Sequence, residues 1–299
     1  MHHVAAFYRF ADLHDPARLR TDLARLGCKL GIRGSVLVAA EGVNGTVSGT
    51  AEALARFLDL LRSEPGYADL TPQWSTAPRQ PFGRLKVRLK REIVTMGAPA
   101  VRPVDGVGTY VSPKEWNALI AASDVALIDT RNAFEVALGT FEGAEDPGLE
   151  RFGEFPDWWS AARGRLAGKR VAMFCTGGIR CEKATALALA GGAREVFHLR
   201  GGILAYLAET RPQESRWRGE CFVFDERVAL VHGLEQGRAV LCRGCRHPVT
   251  PEERAAPGWE DGVSCPRCVA TARPDALARR RERQRQMALA KARGAGELA

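Results

Sequence analysis

No stretch of this chain approaches the roughly 20 consecutive apolar residues that a bilayer-spanning helix requires, so a membrane-spanning helix is excluded. The N-terminus, Met1-His2-His3-Val4, runs directly into a strand-like segment and lacks the charged and apolar regions of a signal peptide. A cytoplasmic protein is therefore expected, with no membrane partner. A Gly-x-Gly-x-x-Gly fingerprint is missing as well: Gly42-Val43-Asn44-Gly45 is a turn signal, and no flavin or nucleotide cofactor is indicated. No set of His and carboxylate residues has recognisable ligand spacing, which leaves a catalytic metal unsupported. Acidic charge is the scarcer sign, giving a formal net charge of +8 at pH 7. That balance favours a polyanionic partner without naming one, and it is equally compatible with a solubilising surface.

What is present is length and cysteine. A chain of 299 residues is long enough for two or three domains, each with its own core. Of the eight cysteines, four form the pairs Cys242-x2-Cys245 and Cys265-x2-Cys268. Two such pairs can set four thiolates tetrahedrally around a structural zinc, in a closed site with no position left for substrate. Two disulfides or four reduced thiols are the alternative. His247 is unnecessary as a ligand if all four cysteines bind. The distribution of cysteines suits a reducing compartment.

The most informative stretch is Cys175-Thr176-Gly177-Gly178-Ile179-Arg180-Cys181, between the apolar segment Val171 to Phe174 and the helix-forming Glu182 to Ala190. A cysteine in a strand-to-helix loop receives converging backbone amides and the positive end of the helix dipole, and Arg180 adds a fixed cation, so the thiolate is favoured. Cys175 is read as a nucleophile; a buried, inert thiol is the alternative. Gly177 and Gly178 let the chain turn with no Cβ in a substrate's way. The Cys-x4-Arg cradle has the length that in rhodanese-like domains holds a persulfide. Leu127-Ile128-Asp129-Thr130-Arg131, followed by Glu135, Gly139, Gly143 and Ala144, resembles the rhodanese strand ending in Asp-x-Arg. Val196-Phe197-His198-Leu199-Arg200-Gly201-Gly202 resembles that fold's last strand and Gly-Gly turn. Thr140 departs from the His that many rhodaneses carry.

The expected architecture is a multidomain α/β chain. Residues 1–98 read as a ferredoxin-like βαββαβ domain: a strand at Val4 to Tyr8, a helix with Leu19, Leu23 and Leu26 on one face, and a hairpin turning at Glu41-Gly42. A second helix carries Leu54, Phe57, Leu58 and Leu61, and strand-like segments lie near Trp74 and from Leu85 to Val94. Cys28 is expected in the core. Residues 99–112 read as a linker, and 113–212 as a rhodanese-like domain with a parallel sheet whose site lies at the strands' C-terminal ends. Ser112-Pro113-Lys114-Glu115 should start a helix. Phe152, Phe155, Trp158 and Trp159 read as core packing, or else as a stacking surface for a base. Residues 213–272 form the Cys-rich region, in which Cys221 to Val228 reads as a strand. The tail at 273–299 is basic, with Arg279, Arg280, Arg281, Arg283 and Arg285 either solvated or contacting RNA phosphates, on a helix favoured by neighbouring Ala and Leu.

A closer resemblance runs along nearly the whole chain. Ala40-Glu41-Gly42-Val43-Asn44-Gly45-Thr46-Val47-Ser48-Gly49, Lys86-Val87-Arg88 with Glu92-Ile93-Val94, Gly139-Thr140-Phe141, the loop with its trailing Cys181-Glu182-Lys183-Ala184, and Cys221-Phe222-Val223-Phe224-Asp225 are similar to segments of the bacterial tRNA uridine(34) hydroxylase family. Members are rhodanese-domain proteins that form 5-hydroxyuridine at the wobble position in an oxygen-dependent reaction. Thr140 looks like that family's pattern, whereas Gly153 stands where Arg is expected. The resemblance implies a tRNA partner, molecular oxygen as co-substrate and Cys175 at the active site. One mechanism is addition of the Cys175 thiolate to uracil C6, with Glu182 or Lys183 handling protons; the other is a Cys175 persulfide acting as reductant or sulfur donor. Cys181 either resolves an oxidised Cys175 or packs inward. A rhodanese-type sulfurtransferase remains the alternative function, and a non-catalytic RNA-binding protein a third.

Overall fold

The computed structural model describes residues 1–293; positions 294–299 of the expected basic tail lie outside the described residues. The N-terminal domain runs β1 (His2–Phe10), α1 (Pro16–Lys29), β2 (Arg33–Ala39), β3 (Gly42–Gly49), α2 (Ala51–Arg62) and β4 (Gln73–Ala77), followed by β5 (Leu85–Leu89). Its sheet has the order β4-β1-β3-β2-β5, antiparallel except that β5 lies parallel to β2. This is the βαββαβ pattern with one strand added at an edge. Helix α1 begins where the Asp15 carboxylate accepts the Arg18 N–H at 2.8 Å and Pro16 presets the first helical φ. Helix α2 begins at Thr50, whose hydroxyl accepts the Ala53 N–H. Both helices cover one face of the sheet, where Leu19, Leu23, Leu54 and Phe57 pack on Phe7, Val36, Val38, Val43 and Val47. Because side chains alternate along a strand, Ala6, Tyr8, Asn44 and Thr46 lie on the opposite face.

Three expectations for this domain change. Cys28 is exposed: the buried face of α1 runs through Leu19, Leu23 and Gly27, and the next residue is rotated about 100° away from it. The hairpin turns one residue earlier, at Ala40-Glu41, since Ala39 pairs with Gly42. The strand from Leu85 stops at Leu89, and Glu92 to Val94 reach across to the next domain instead.

The central domain runs β6 (Thr109–Val111), α3 (Pro113–Ile120), β7 (Val125–Asp129), α4 (Ala133–Val136), β8 (Gly139–Phe141), α5 (Phe155–Ala162), β9 (Arg170–Phe174), α6 (Ile179–Ala190), β10 (Val196–Leu199) and α7 (Gly202–Glu209). Strands β6-β10-β9-β7 make an all-parallel sheet. Thr109–Val111, expected within the linker, is therefore a sheet strand; three residues are too few to show a periodicity. At the start of α3 the Glu115 carboxylate accepts from the Ser112 N–H and hydroxyl. Phe152, Phe155 and Trp159 are buried against Met173 and Ala184, so the packing reading of the aromatic cluster holds.

The remaining elements are short: β11 (Trp217–Gly219) pairs with β8, β12 (Cys221–Phe222) with β13 (Ala229–Leu230), and β14 (Val240–Leu241) with β15 (Pro248–Val249), before α8 (Pro251–Ala255), α9 (Pro266–Val269) and α10 (Pro274–Ala292). The strand expected from Cys221 to Val228 ends after Phe222. There Asp225 and Arg227 form a buried ion pair at 2.6 Å, and Val228 adopts φ +66. No helix among the described residues is long and apolar enough to cross a membrane.

Lys183, a candidate for proton handling in the sequence, instead joins the first two domains. Its ammonium donates to Glu92 Oε2 at 2.7 Å and to the Val94 carbonyl at 3.1 Å, and lies 2.8 Å from Glu41 Oε2, with 1% of its side chain exposed. Removing the cation leaves two carboxylates facing each other at an interdomain seam. Lys183→Met is expected to cost about 3 kcal/mol, whereas Lys114→Met on the exposed start of α3 should cost almost nothing. Scanning calorimetry checks this, and an unchanged unfolding profile for Lys183→Met would contradict the clasp.

Candidate active site

Strand β9 delivers Cys175 to the C-terminal edge of the parallel sheet, and α6 begins four residues later. Two glycines make the intervening loop possible. Gly178 has φ +102, a left-handed conformation that side chains disfavour, and a Cβ there would lie 2.9 Å from the Tyr8 hydroxyl. Gly202, at φ +65, lies so close under the loop that a Cβ would sit 2.5 Å from the Cys175 carbonyl oxygen. That closeness lets the first amides of α7 hold the loop: Ile203 N–H donates to Cys175 O at 2.9 Å and Leu204 N–H to Thr176 O at 3.0 Å.

Burial opposes charge on the Cys175 thiol. A hydrogen bond from the Cys181 thiol, the Arg180 guanidinium and the Cys181 and Gly178 backbone N–H groups outweigh it and bring the thiol down to about 6. The Gly178 amide lies 3.1 Å from the sulfur. Cys181 is the opposite case: burial and the neighbouring Cys175 push its thiol up, and its sulfur lies 3.6 Å from the Thr130 hydroxyl. The pair thus splits into one thiolate and one thiol that supports it. Cys175 is buried.

Arg180 is not the free cation that the loop pattern suggests. It forms a bidentate pair with the fully buried Glu135, at 2.6 and 2.8 Å, and a longer bond to the Thr176 hydroxyl. The nearby Asp129 and Arg131 make a second buried pair, and the Thr140 hydroxyl donates to Asp129 at 2.8 Å. That hydroxyl accounts for Thr at a position where many rhodaneses carry His. Glu182 turns the other way. Its Oε1 accepts from Tyr8 at 2.8 Å and from Tyr110 at 2.7 Å, and burial raises its carboxyl above the usual range despite those two bonds.

These groups border a cavity of about 960 Å³ between the domains. Ala6, Tyr8, Asn44, Thr46 and Gln73 of the N-terminal sheet form one wall. Cys175, Thr176, Gly177, Ile179, Arg180, Glu182 and Arg200 form the second, and Phe224, Asp225 and Arg227 contribute a third. Gln73 also donates from its side chain to the Gly201 carbonyl, tying the first wall to the second. Tyr8, Tyr110 and Gln73 carry no site signal in the sequence, whereas Glu135, Asn44, Thr46, Arg200, Phe224 and Asp225 fall within segments that resemble rhodaneses or the hydroxylase family.

A family model described as a UPF0176 acylphosphatase like domain matches residues 2–93, and one described as a rhodanese-like domain matches residues 112–209. Among curated proteins, the tRNA uridine(34) hydroxylase of Jannaschia sp. is 55% identical over 100% of this chain and 99% of its own. Those of Brucella anthropi and Caulobacter vibrioides are each 52% identical, over 98% and 99% of this chain and 96% of their own. The chain belongs to the tRNA uridine(34) hydroxylase family.

In this family member the four C-terminal cysteines come together away from the cavity. The sulfurs of Cys242, Cys245, Cys265 and Cys268 all lie within 4.8 Å of one another, with Cys242 to Cys268 at 3.8 Å and Cys245 to Cys265 at 3.6 Å. A disulfide is about 2.05 Å long, so these are not bonded pairs. The separations approach the roughly 3.8 Å edge of a tetrahedron built on metal–sulfur bonds of about 2.3 Å, and the set can hold a metal ion. His247 packs edge-on against Phe134. On α10, Arg279 pairs with Asp275, Arg281 with Glu260 and Arg285 with Glu282; Arg280 donates to the Val263 carbonyl, and Arg283 is exposed.

The Cys175 environment predicts a pH profile. Its alkylation by iodoacetamide should rise with a midpoint near pH 6, and Cys181→Ala, which removes the supporting thiol, should move the midpoint upward by about a unit or more. Rate measurements from pH 4 to 9 with mass mapping check this; an unmoved midpoint would place the stabilisation elsewhere.

Proposed function

We propose that this protein converts uridine 34 of tRNA to 5-hydroxyuridine with molecular oxygen, and that Cys175 is the catalytic nucleophile. The observation that carries the reading is a thiol held as thiolate on the wall of an interdomain cavity large enough for a nucleoside, in a chain whose relatives are named tRNA uridine(34) hydroxylase. Uracil C5 is a weak nucleophile until something adds at C6. The Cys175 sulfur adds there, and the electron pair of the C5–C6 double bond moves into an enolate over C5 and O4. C5 then attacks oxygen. Loss of the C5 proton expels the thiolate and restores the double bond, while the second oxygen atom leaves as water with two electrons from an external thiol-class donor.

In this mechanism Glu182 is the group that takes the C5 proton. Burial raises its carboxyl above the usual carboxylate range, so it takes up a proton more readily than a solvated carboxylate, and Tyr8 and Tyr110 hold its orientation. Arg180 and Glu135 act together to fix the loop, and the Arg180 charge reaches Cys175 partly neutralised. The alternative is a Cys175 persulfide, supported by the six-residue loop. The four-cysteine cluster is read as a structural zinc site, since thiolate-rich tetrahedral sets suit that ion.

Nucleoside mass spectrometry on tRNA from cells lacking the protein tests the reaction. Complementation with the natural chain should restore 5-hydroxyuridine, whereas Cys175→Ser should restore less than about 1% of it; restoration by Cys175→Ser would remove the cysteine from the chemistry. An intact mass carrying one extra sulfur on Cys175 would favour the persulfide route. Metal analysis of the purified chain should find one zinc per molecule, and Cys242→Ser should release it and lower the melting temperature.

A further inference from the structure

Several surface arginines have acidic partners: Arg18, Arg25, Arg62, Arg102, Arg165 and Arg170 each pair with a carboxylate within 4 Å. One groove gathers basic side chains without such partners. A second cavity, of about 660 Å³, lies between α1 and the edge strand β5; Arg20, Arg33, Arg84, Lys86 and Arg88 line it, with no Asp or Glu among the lining residues. Among the described residues, Arg33, Arg84, Lys86 and Arg88 form no ion pair. Arg20 donates from Nε to the Val87 carbonyl at 3.2 Å, which blunts the open edge of β5 and leaves its charge uncompensated. The five like charges gather around this sheet edge, with Lys86 and Arg88 on the face of Tyr8 and Asn44 and opposite the core-facing Leu85 and Val87; they repel one another, and a polyanion lying along the edge relieves the repulsion.

The sheet connects this groove to the candidate active site. Tyr8 pairs with Asn44, Asn44 with Leu37, and Leu37 with Arg88, so one cross-strand row leads from the cavity wall to the groove. Three strand spacings of about 4.8 Å make that row roughly 14 Å long, on the order of four stacked nucleotides at 3.4 Å each. A base held in the cavity thus leaves its own strand's backbone within reach of β5.

We propose that the groove between α1 and β5 is a phosphate-binding site that holds the tRNA backbone several nucleotides away from the base in the cavity. This rests on the tRNA reading above. The contact is to phosphate and carries no sequence information; it sets the register in which the wobble base is presented.

The test uses the full chain and an unmodified tRNA transcript with uridine at position 34. Arg84→Gln/Lys86→Gln/Arg88→Gln should weaken binding at least tenfold near 0.15 M salt. It should also make the slope of log affinity against log salt shallower by about two to three, at 0.7 to 0.9 per lost phosphate contact. A second measurement needs no variant: Cys28 is exposed and lines the groove, so saturating transcript should slow its alkylation by a maleimide at least fivefold. An unchanged affinity and slope in the folded triple variant, or Cys28 reacting at its free rate in the complex, would overturn the proposal. Formation of 5-hydroxyuridine by the natural chain is scored on parallel samples supplied with a dithiol donor and air. Binding with these groove effects but without product counts against the proposed reaction and leaves the groove assignment standing.

Discussion

Everything in the candidate site depends on one turn of helix α6. Four consecutive side chains leave it at about 100° intervals and engage four different surroundings. Arg180 locks to Glu135 beneath the loop, and Cys181 supports the reactive sulfur from within the core. Glu182 reaches the two tyrosines across the cavity, and Lys183 clasps Glu41 and Glu92 of the N-terminal domain. The turn that sets the electrostatics of Cys175 is therefore also the turn that fixes where the first domain sits. Chemistry and domain placement cannot be adjusted separately here.

The charges around that turn are arranged to cancel locally. Arg180 faces Glu135, Arg131 faces Asp129, and Lys183 faces two carboxylates. Buried charge is costly unless paired, and pairing removes most of the long-range field. What remains for the Cys175 sulfur is short-range: two amides, one thiol and a guanidinium already shared with a carboxylate. Such a site favours a thiolate without concentrating positive potential in the cavity, which suits a neutral base better than a free phosphate.

The extent to which the sequence could be read follows from range. Leu19, Leu23, Leu54, Phe57 and Leu58 announce their helices because a helical stripe is local, and Cys175 with its two glycines announces a strand-to-helix loop for the same reason. The Cys242, Cys245, Cys265 and Cys268 cluster was legible because paired spacing encodes a ligand set. Tyr8 and Glu182 lie 174 residues apart and Gln73 and Gly201 lie 128 apart, and no local pattern links either pair. Cys28 misled for a related reason: the usual burial of free cysteine is a property of the residue type, whereas its position one step past Gly27 decides its environment. Lys183 misled because its neighbourhood in sequence is the Cys175 loop, while its neighbourhood in space is another domain.

The cavity has walls from residues 6 to 95, 110 to 204 and 223 to 234, and this gives it a schedule. A ribosome delivers the chain from its N-terminus, and domains form as they emerge. The N-terminal sheet is complete before the cysteine loop exists, and the loop is complete before the segment carrying Phe224 and Arg227 arrives. The reactive sulfur is therefore synthesised onto a docking surface that is already waiting for it.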